Sequence, residues 1–378
     1  MNIYMQIKKI AAYCTNTLFK TVCGKNKAKA DYLMKLCCSS YEKVTGDYCS
    51  YRLRLGVPDV MTVNENLLND YSNIAIVMQG PLILENHFTL NTLKFYRKIY
   101  PKCKIIVSTW DNESSEEVTS IEEIGVIVLR NARPINTGLG NMNFQILSTR
   151  NGIKKAEELG VQYVLKTRTD QRINKCNVLD FFGSLTETFP VLENEKQKKR
   201  IIAFQGTVGG TMFVPYFIAD FLYYGHVDDL KHLFSIPLDD MNLSKDDRLK
   251  WLQEIKRNNP TIQEYYNLTA PEIMIMKNYV KTYISSNYKD TVEDYWKFVR
   301  DYLVTVSWDD IGLFWPKYNR YDESTFFRIV SRKDNQYNYY QYTWTFNNWL
   351  MLYTDKLKYK QEFETYSQNT CDKLNMNI

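Results

Sequence analysis

Apolar residues run almost unbroken through residues 73–78 (NIAIVM), and the run stops at Gln79, Gly80 and Pro81. A continuous apolar run closed by turn residues is the pattern of a strand buried on both faces. The same pattern returns at residues 103–109 (CKIIVST), 126–129, 161–165 (VQYVL) and 201–204. Between these runs the period changes. Residues 86–100, the stretch opened by Glu113, Glu116 and Glu117, and residues 141–160 read as helices. In the last of these, Phe144, Leu147, Ile153, Ala156 and Leu159 recur at roughly helical spacing, Gly160 is a stop signal and Gly152 a weak point. Strands alternating with helices predict an α/β fold with a mostly parallel sheet.

Further along, residues 216–234 read as helical, 196–200 as a solvated charge run and 235–262 as simply polar. Pro271 and Glu272 open another helix, with Pro at its favoured first position. Residues 1–70 read as a helical segment with a loose link near 56–66. The remaining boundaries fall at 71–215 for a ligand-binding α/β half, 216–330 for a second half and 331–378 for an aromatic-rich extension.

Candidate chemistry concentrates where the fourth apolar run ends, in Lys166, Thr167, Arg168, Thr169, Asp170, Gln171 and Arg172. In open α/β sheets, ligands bind outside the carboxyl ends of the strands. Lys166, Arg168 and Arg172 around the single carboxylate of Asp170 suit a phosphorylated ligand, because an Arg presents a planar fork of donors to phosphate oxygens. The plain alternative is a charged, solvated turn. Asn141, Asn143 and Gln145 stand at the start of the preceding helix, where free N–H groups can be capped or can hold an anion.

The pattern NxNxQI-S-T-x-x-G followed by YVLKTRTDQRI resembles the central signature of the WavE family of lipopolysaccharide-synthesis glycosyltransferases. The resemblance extends over roughly residues 71–320 and takes in Gln79-Gly80-Pro81, the segment FIADFLYYG around Asp220, and Pro271-Glu272. It implies a GT-A-like, Rossmann-like fold without a GxGxxG motif, a nucleotide-sugar donor, and a glycan or glycolipid acceptor in lipopolysaccharide or capsule assembly. Gln79, Gly80, Pro81 and Asp111 then fall where donor contacts are expected, with Asn143, Gln145, Lys166, Arg168 and Arg172 beside them. Where many such enzymes carry Asp-x-Asp for a divalent metal, this chain has Arg168-Thr169-Asp170. Three expectations follow: Asp170 holds Mn²⁺ or Mg²⁺ with help from the diphosphate and waters, the cations replace the metal, or Asp170 binds the ribose or a sugar hydroxyl. Glu272 is the expected base for the acceptor hydroxyl, with Asp220, Asp309 and Asp310 as further carboxylates and Lys317 as a further phosphate contact.

Composition narrows the field modestly. A net charge of +5 over 378 residues gives no chain-wide footprint for nucleic acid. Of eight cysteines, five lie in the first 49 residues, no CxxC occurs, and the three His lack zinc spacing, so reduced thiols in a cytoplasm are expected. No apolar run reaches the length of a membrane span. The first 30 residues interleave Ile3, Ile7, Ile10, Leu18 and Phe19 with six lysines, which suits either a packed helix or peripheral contact with the anionic inner-membrane face. Two rival functions stay open. One is a nucleotidyl- or phosphotransferase of surface-glycan synthesis. The other is a non-catalytic carbohydrate-binding protein that uses the aromatic tail YNYYQYTWTFNNW as its platform.

Overall fold

The computed structural model describes residues 3–46, 48–64, 69–204, 211–243, 245–258, 260, 262–319 and 343–360. The chain divides into two compact units, Met1–Arg54 and Leu55–Ile378. The first unit holds helices α1 (Ile3–Cys23) and α2 (Lys27–Thr45). Asn26 caps α2 by accepting from the Lys29 N–H, and Gly46 ends it in the left-handed region at φ 78°. The expected helical character of residues 1–70 thus stops near residue 45, and residues 48–57 are not helical.

The second unit carries the sheet. Its first half alternates as the apolar pattern predicts: β1 (Ile74–Gln79), α3 (Phe88–Ile99), β2 (Lys104–Trp110), α4 (Ser115–Glu123), β3 (Ile127–Asn131), α5 (Met142–Glu158) and β4 (Tyr163–Arg168). A short strand β5 (Arg172–Ile173) and helix α6 (Val178–Thr188) follow. Next come β6 (Ile201–Phe204), β7 (Tyr223–His226), α7 (Val227–Leu233), α8 (Lys245–Arg257), α9 (Ile262–Thr269) and α10 (Pro271–Tyr279). The chain then forms α11 (Val292–Tyr302), β8 (Leu303–Val306), α12 (Trp308–Ile311), β9 (Leu313–Phe314), α13 (Pro316–Asn319) and α14 (Phe346–Tyr353). The main sheet has seven strands in the order β3-β2-β1-β4-β7-β6-β8, and β5 pairs with β9 in a separate ribbon. All neighbours are parallel except that β7 runs against both β4 and β6. Helices flank this α/β sheet, so a mostly parallel architecture is what the continuous apolar runs encode.

Two parts of the sequence reading need correction. Residues 216–234 are not one helix. They pass through a loop containing Tyr216 at φ 64°, enter β7, and only then form α7. Tyr223 and Tyr224 are buried between β4 and β6, and tertiary pairing has overridden a weak helical period. The polar stretch 235–262 contains α8, whose Asp246 and Asp247 in the first turn and Lys256 and Arg257 in the last complement the helix dipole.

The halves 71–215 and 216–330 do not separate as bodies, because β7 lies between β4 and β6 in one sheet. The aromatic extension enters the same core. Trp344 and Trp349 are fully buried, and their indole N–H groups donate to the Tyr295 hydroxyl and the Val299 carbonyl of α11. The described part of the tail is therefore core and not a sugar platform, while residues 337–342 and the extension beyond 360 lie outside the described residues.

Candidate active site at the carboxyl edge of the sheet

Chain order reverses between β1 and β4, since β2 and β3 lie on one side of β1 while β4 lies on the other. This is the switch point at which open α/β sheets hold ligands. Gln79 closes β1 directly beside Arg168, the last residue of β4. Thr169 cinches the two ends together. Its N–H donates to the Gln79 carbonyl at 3.1 Å and its hydroxyl to the Pro81 carbonyl at 2.6 Å. Gly80 crosses here at φ 117°, and a Cβ would stand 3.0 Å from the Thr169 hydroxyl, so this turn needs glycine.

Alternation along β4 puts Lys166 and Arg168 on one face. Lys166 is fully buried; its ammonium donates to the Asp220 main-chain carbonyl and lies 5.7 Å from the Phe234 ring. Burial lowers its pKa to about 7, opposed by the pull of Asp220 and reinforced by the like charge of Arg168. Arg168 keeps about a quarter of its side chain exposed and lies 5.1 Å over the Trp315 ring. It donates to both oxygens of Asp170, at 2.9 and 3.0 Å. Glu272, at the start of α10, enters the same field. Burial first, and the Asp220 carboxylate second, raise its pKa to about 8, with Lys166 and Arg168 pulling it back. Asp220 is buried, and its Oδ1 has no hydrogen-bond partner among the described residues. Its carbonyl also accepts from Gln145 of α5 at 3.3 Å. Lys166, Arg168, Asp170, Gln145, Asp220 and Glu272 are thus one electrostatic cluster, assembled from β4, α5, α10 and the lead-in to β7.

Other expected site residues lie elsewhere or are already engaged. Arg172 points away, correcting its grouping with Lys166 and Arg168. Its guanidinium donates to Thr92 of α3 and to the carbonyls of Leu55 and Gly56, over the Phe88 ring. Asn143 is buried, with its amide donating to the Asn136 and Asp239 carbonyls and accepting from the Asp239 N–H. It fastens a loop and has little capacity left for a ligand. Gln79 is buried and accepts from Ser148 of α5 at 3.0 Å. Pro81 and Asp111 are exposed at the sheet edge, and Trp110 is a buried plug packed edge-on to Phe144. Asp310 caps α12 by accepting from the Ser307 N–H and hydroxyl, while Asp309 and Lys317 are exposed.

A divalent ion needs several oxygen ligands. Both Asp170 oxygens already accept from Arg168, and no group of three His, Cys, Asp or Glu side chains is placed to hold an ion among the described residues. The side chains alone make no ion site among the described residues, so a metal held at Asp170 would draw its other ligands from the diphosphate and waters. Sequence reasoning counted Thr169 in the polar cluster but gave it no role, although its place between two charged residues after the strand was a clue. It also undervalued Gly152, where a Cβ would fall 2.3 Å from Val77 of β1, so that glycine lets α5 lie close against the sheet.

Among solved structures, the protein resembles a putative nucleotide-diphospho-sugar transferase from Desulfovibrio desulfuricans G20 at 8% identity, over 50% of this chain and 77% of that one, with a TM-score of 0.29. A 4-diphosphocytidyl-2C-methyl-D-erythritol synthase from Anaerococcus prevotii DSM 20548 matches at 10% identity, over 55% and 98%, with a TM-score of 0.30. A glycosyltransferase involved in glycosylation of the major capsid of PBCV-1 matches at 16% identity, over 43% and 65%, with a TM-score of 0.24. Likenesses this slight say nothing of the chemistry of this chain. No curated protein matches it in sequence. The model of the family described as WavE lipopolysaccharide synthesis, in contrast, matches residues 74–374, which include the whole sheet and every member of the cluster. The chain therefore belongs to the WavE lipopolysaccharide synthesis family.

Proposed function

We propose that this protein transfers a sugar from a nucleotide-sugar donor to a growing bacterial surface glycan. The observation that supports this reading most directly is the pairing of cations with a raised-pKa carboxyl at the switch point of the sheet. Arg168 faces the diphosphate there, and the charge of Lys166 lies just beneath it. As the anomeric carbon–oxygen bond breaks, negative charge collects on the departing diphosphate and these cations stabilise it. Asp170 is a positioning residue that holds the Arg168 fork in plane. Glu272 accepts the proton of the acceptor hydroxyl as that oxygen bonds to the anomeric carbon. A base whose pKa is raised gains strength but is ionised only at higher pH, so Glu272 gives the pH profile a limb rising toward about 8, while Lys166, at about 7, loses its charge over the same range. The Glu272→Gln variant loses that limb and turns over about a hundredfold more slowly.

The acceptor is placed at an anionic membrane face. Supporting this, residues 3–46 carry eight lysines against only Asp31 and Glu42. Among the described residues, no helix is long and apolar enough to cross a membrane. A thermal-shift series with UDP-, GDP-, CMP- and dTDP-sugars tests the reading. A donor present at a hundred times its Kd adds ~2.7 kcal/mol of stability. No shift with any of them, together with no hydrolysis of any, would overturn it.

A further inference from the structure

A small cavity of about 210 Å³ opens beside the start of α5. Residues 137–141 form one wall, and Met241, Leu243 and Arg248 the other. At about 30 Å³ per water it has room for roughly seven waters. That is smaller than a typical drug-sized site and suits one edge of a single sugar. It adjoins the cluster described above, because Gly140 packs so tightly on Pro271 that a Cβ would stand 2.8 Å from the proline ring. Pro271 directly precedes Glu272.

Arg248 sets the chemistry of this cavity. Its guanidinium makes no hydrogen bond or ion pair among the described residues, and its Nε is buried without a partner. The neighbouring carboxylate of Asp239 is engaged with the N–H groups of Leu139 and Met241, so it does not serve Arg248. Asp247 pairs with Lys250 instead. A buried donor left unpaired is costly, and a guanidinium fork matches the two oxygens of a carboxylate or phosphate. The remaining wall combines Leu139, Met241, Leu243 and two glycines with the polar Thr137 and Asn141, a mixture that suits the apolar face and hydroxyls of a sugar ring. We propose that this cavity is a subsite for an acidic sugar of the glycan, one bearing a carboxylate or a phosphate that pairs with Arg248. The assignment to the acceptor rests on the glycosyl-transfer reading above. The anion-binding itself does not.

Ligand-detected NMR with glucuronic acid, glucose 6-phosphate and glucose, on the full chain and on Arg248→Gln, tests the assignment. Arg248 makes no hydrogen bond or ion pair among the described residues, so the variant is expected to keep the melting temperature of the parent. The parent is expected to bind at least one of the two anionic sugars about tenfold more tightly than glucose. The tighter of the two identifies the carboxylate or the phosphate as the natural group. Arg248→Gln is expected to erase the preference and leave glucose unchanged. Equal binding of all three sugars, a preference that survives in Arg248→Gln, or no binding of either anion up to roughly 10 mM would each overturn the inference. Nucleotide-sugar stabilisation measured on the same two proteins separates the readings. A donor shift without an Arg248-dependent preference removes only the subsite, and the converse removes only the donor.

Discussion

At the scale of single residues, charge type foretold much less than burial decided. The three cations near Asp170 were legible as a group, yet alternation and the turn after β4 send Arg172 to α3 and leave Arg168 facing the cleft. The two arginines should therefore fail differently. Arg168→Ala is expected to weaken donor binding about tenfold or more with the melting curve nearly unchanged. Arg172→Ala leaves the Leu55 and Gly56 carbonyls unpaired and costs about 1–3 kcal/mol in urea unfolding, while the folded fraction keeps its donor affinity. Glu272 gives a second, pH-linked signature. Its folded pKa, about 8, lies above the ordinary 4.5. The native state thus binds the extra proton between those values, and the contribution to stability is full below pH 4.5 and lost as pH rises through 8. The difference in unfolding free energy between the parent and Glu272→Gln should fall steadily across that window, and a flat difference would remove the assigned shift. Lys166 acts in the opposite sense. Its folded pKa, about 7, lies below 10.5, so its destabilising charge is relieved as pH rises between those values.

At the scale of elements, β1 and β2 were legible because they are buried on both faces and open in continuous apolar runs, while the half-buried β3 and the polar-ended β4 were legible from shorter apolar runs. β7 was not legible, because its letters YYGH alternate neither as strand nor as helix and are specified by the strands that flank it. β8 was missed for a related reason. It follows α11 with no turn residue between, so LVTV reads as the end of that helix. Glycine was read for its helix propensity alone, whereas the close approach of α5 to β1 is what position 152 requires. Alanine there would gain up to ~1 kcal/mol of helix propensity but overpack Val77 by a cost of about 1–3 kcal/mol. Gly152→Ala is therefore expected to lower stability on balance. Because α5 carries Gln145 and Ser148 to the site, donor affinity should fall with it.

For the whole molecule, the net charge of +5 is carried by the N-terminal unit, where the lysines outnumber the acids eight to two over residues 3–46. On α1, Ile10, Leu18 and Val22 lie on one face, 63%, 48% and 48% exposed. If this face meets anionic lipid, the full chain should sediment with phosphatidylglycerol vesicles at low salt and be released at ~0.5 M salt. Ile10→Asp with Leu18→Asp should abolish binding without changing turnover on a soluble acceptor, and equal sedimentation of parent and variant would exclude the face. A last consequence comes from the buried tryptophans near the C-terminus. Thr305 of β8 donates to the carbonyl of Thr345, and Trp349 packs beneath α11. The outermost strand of the sheet is thus covered by residues made some forty positions after it. During synthesis, a ribosome that has released the first 320 residues holds a nascent sheet with a bare, sticky flank. Completion waits for some thirty further residues to emerge, and a chain stopped before Trp344 should be the business of chaperones.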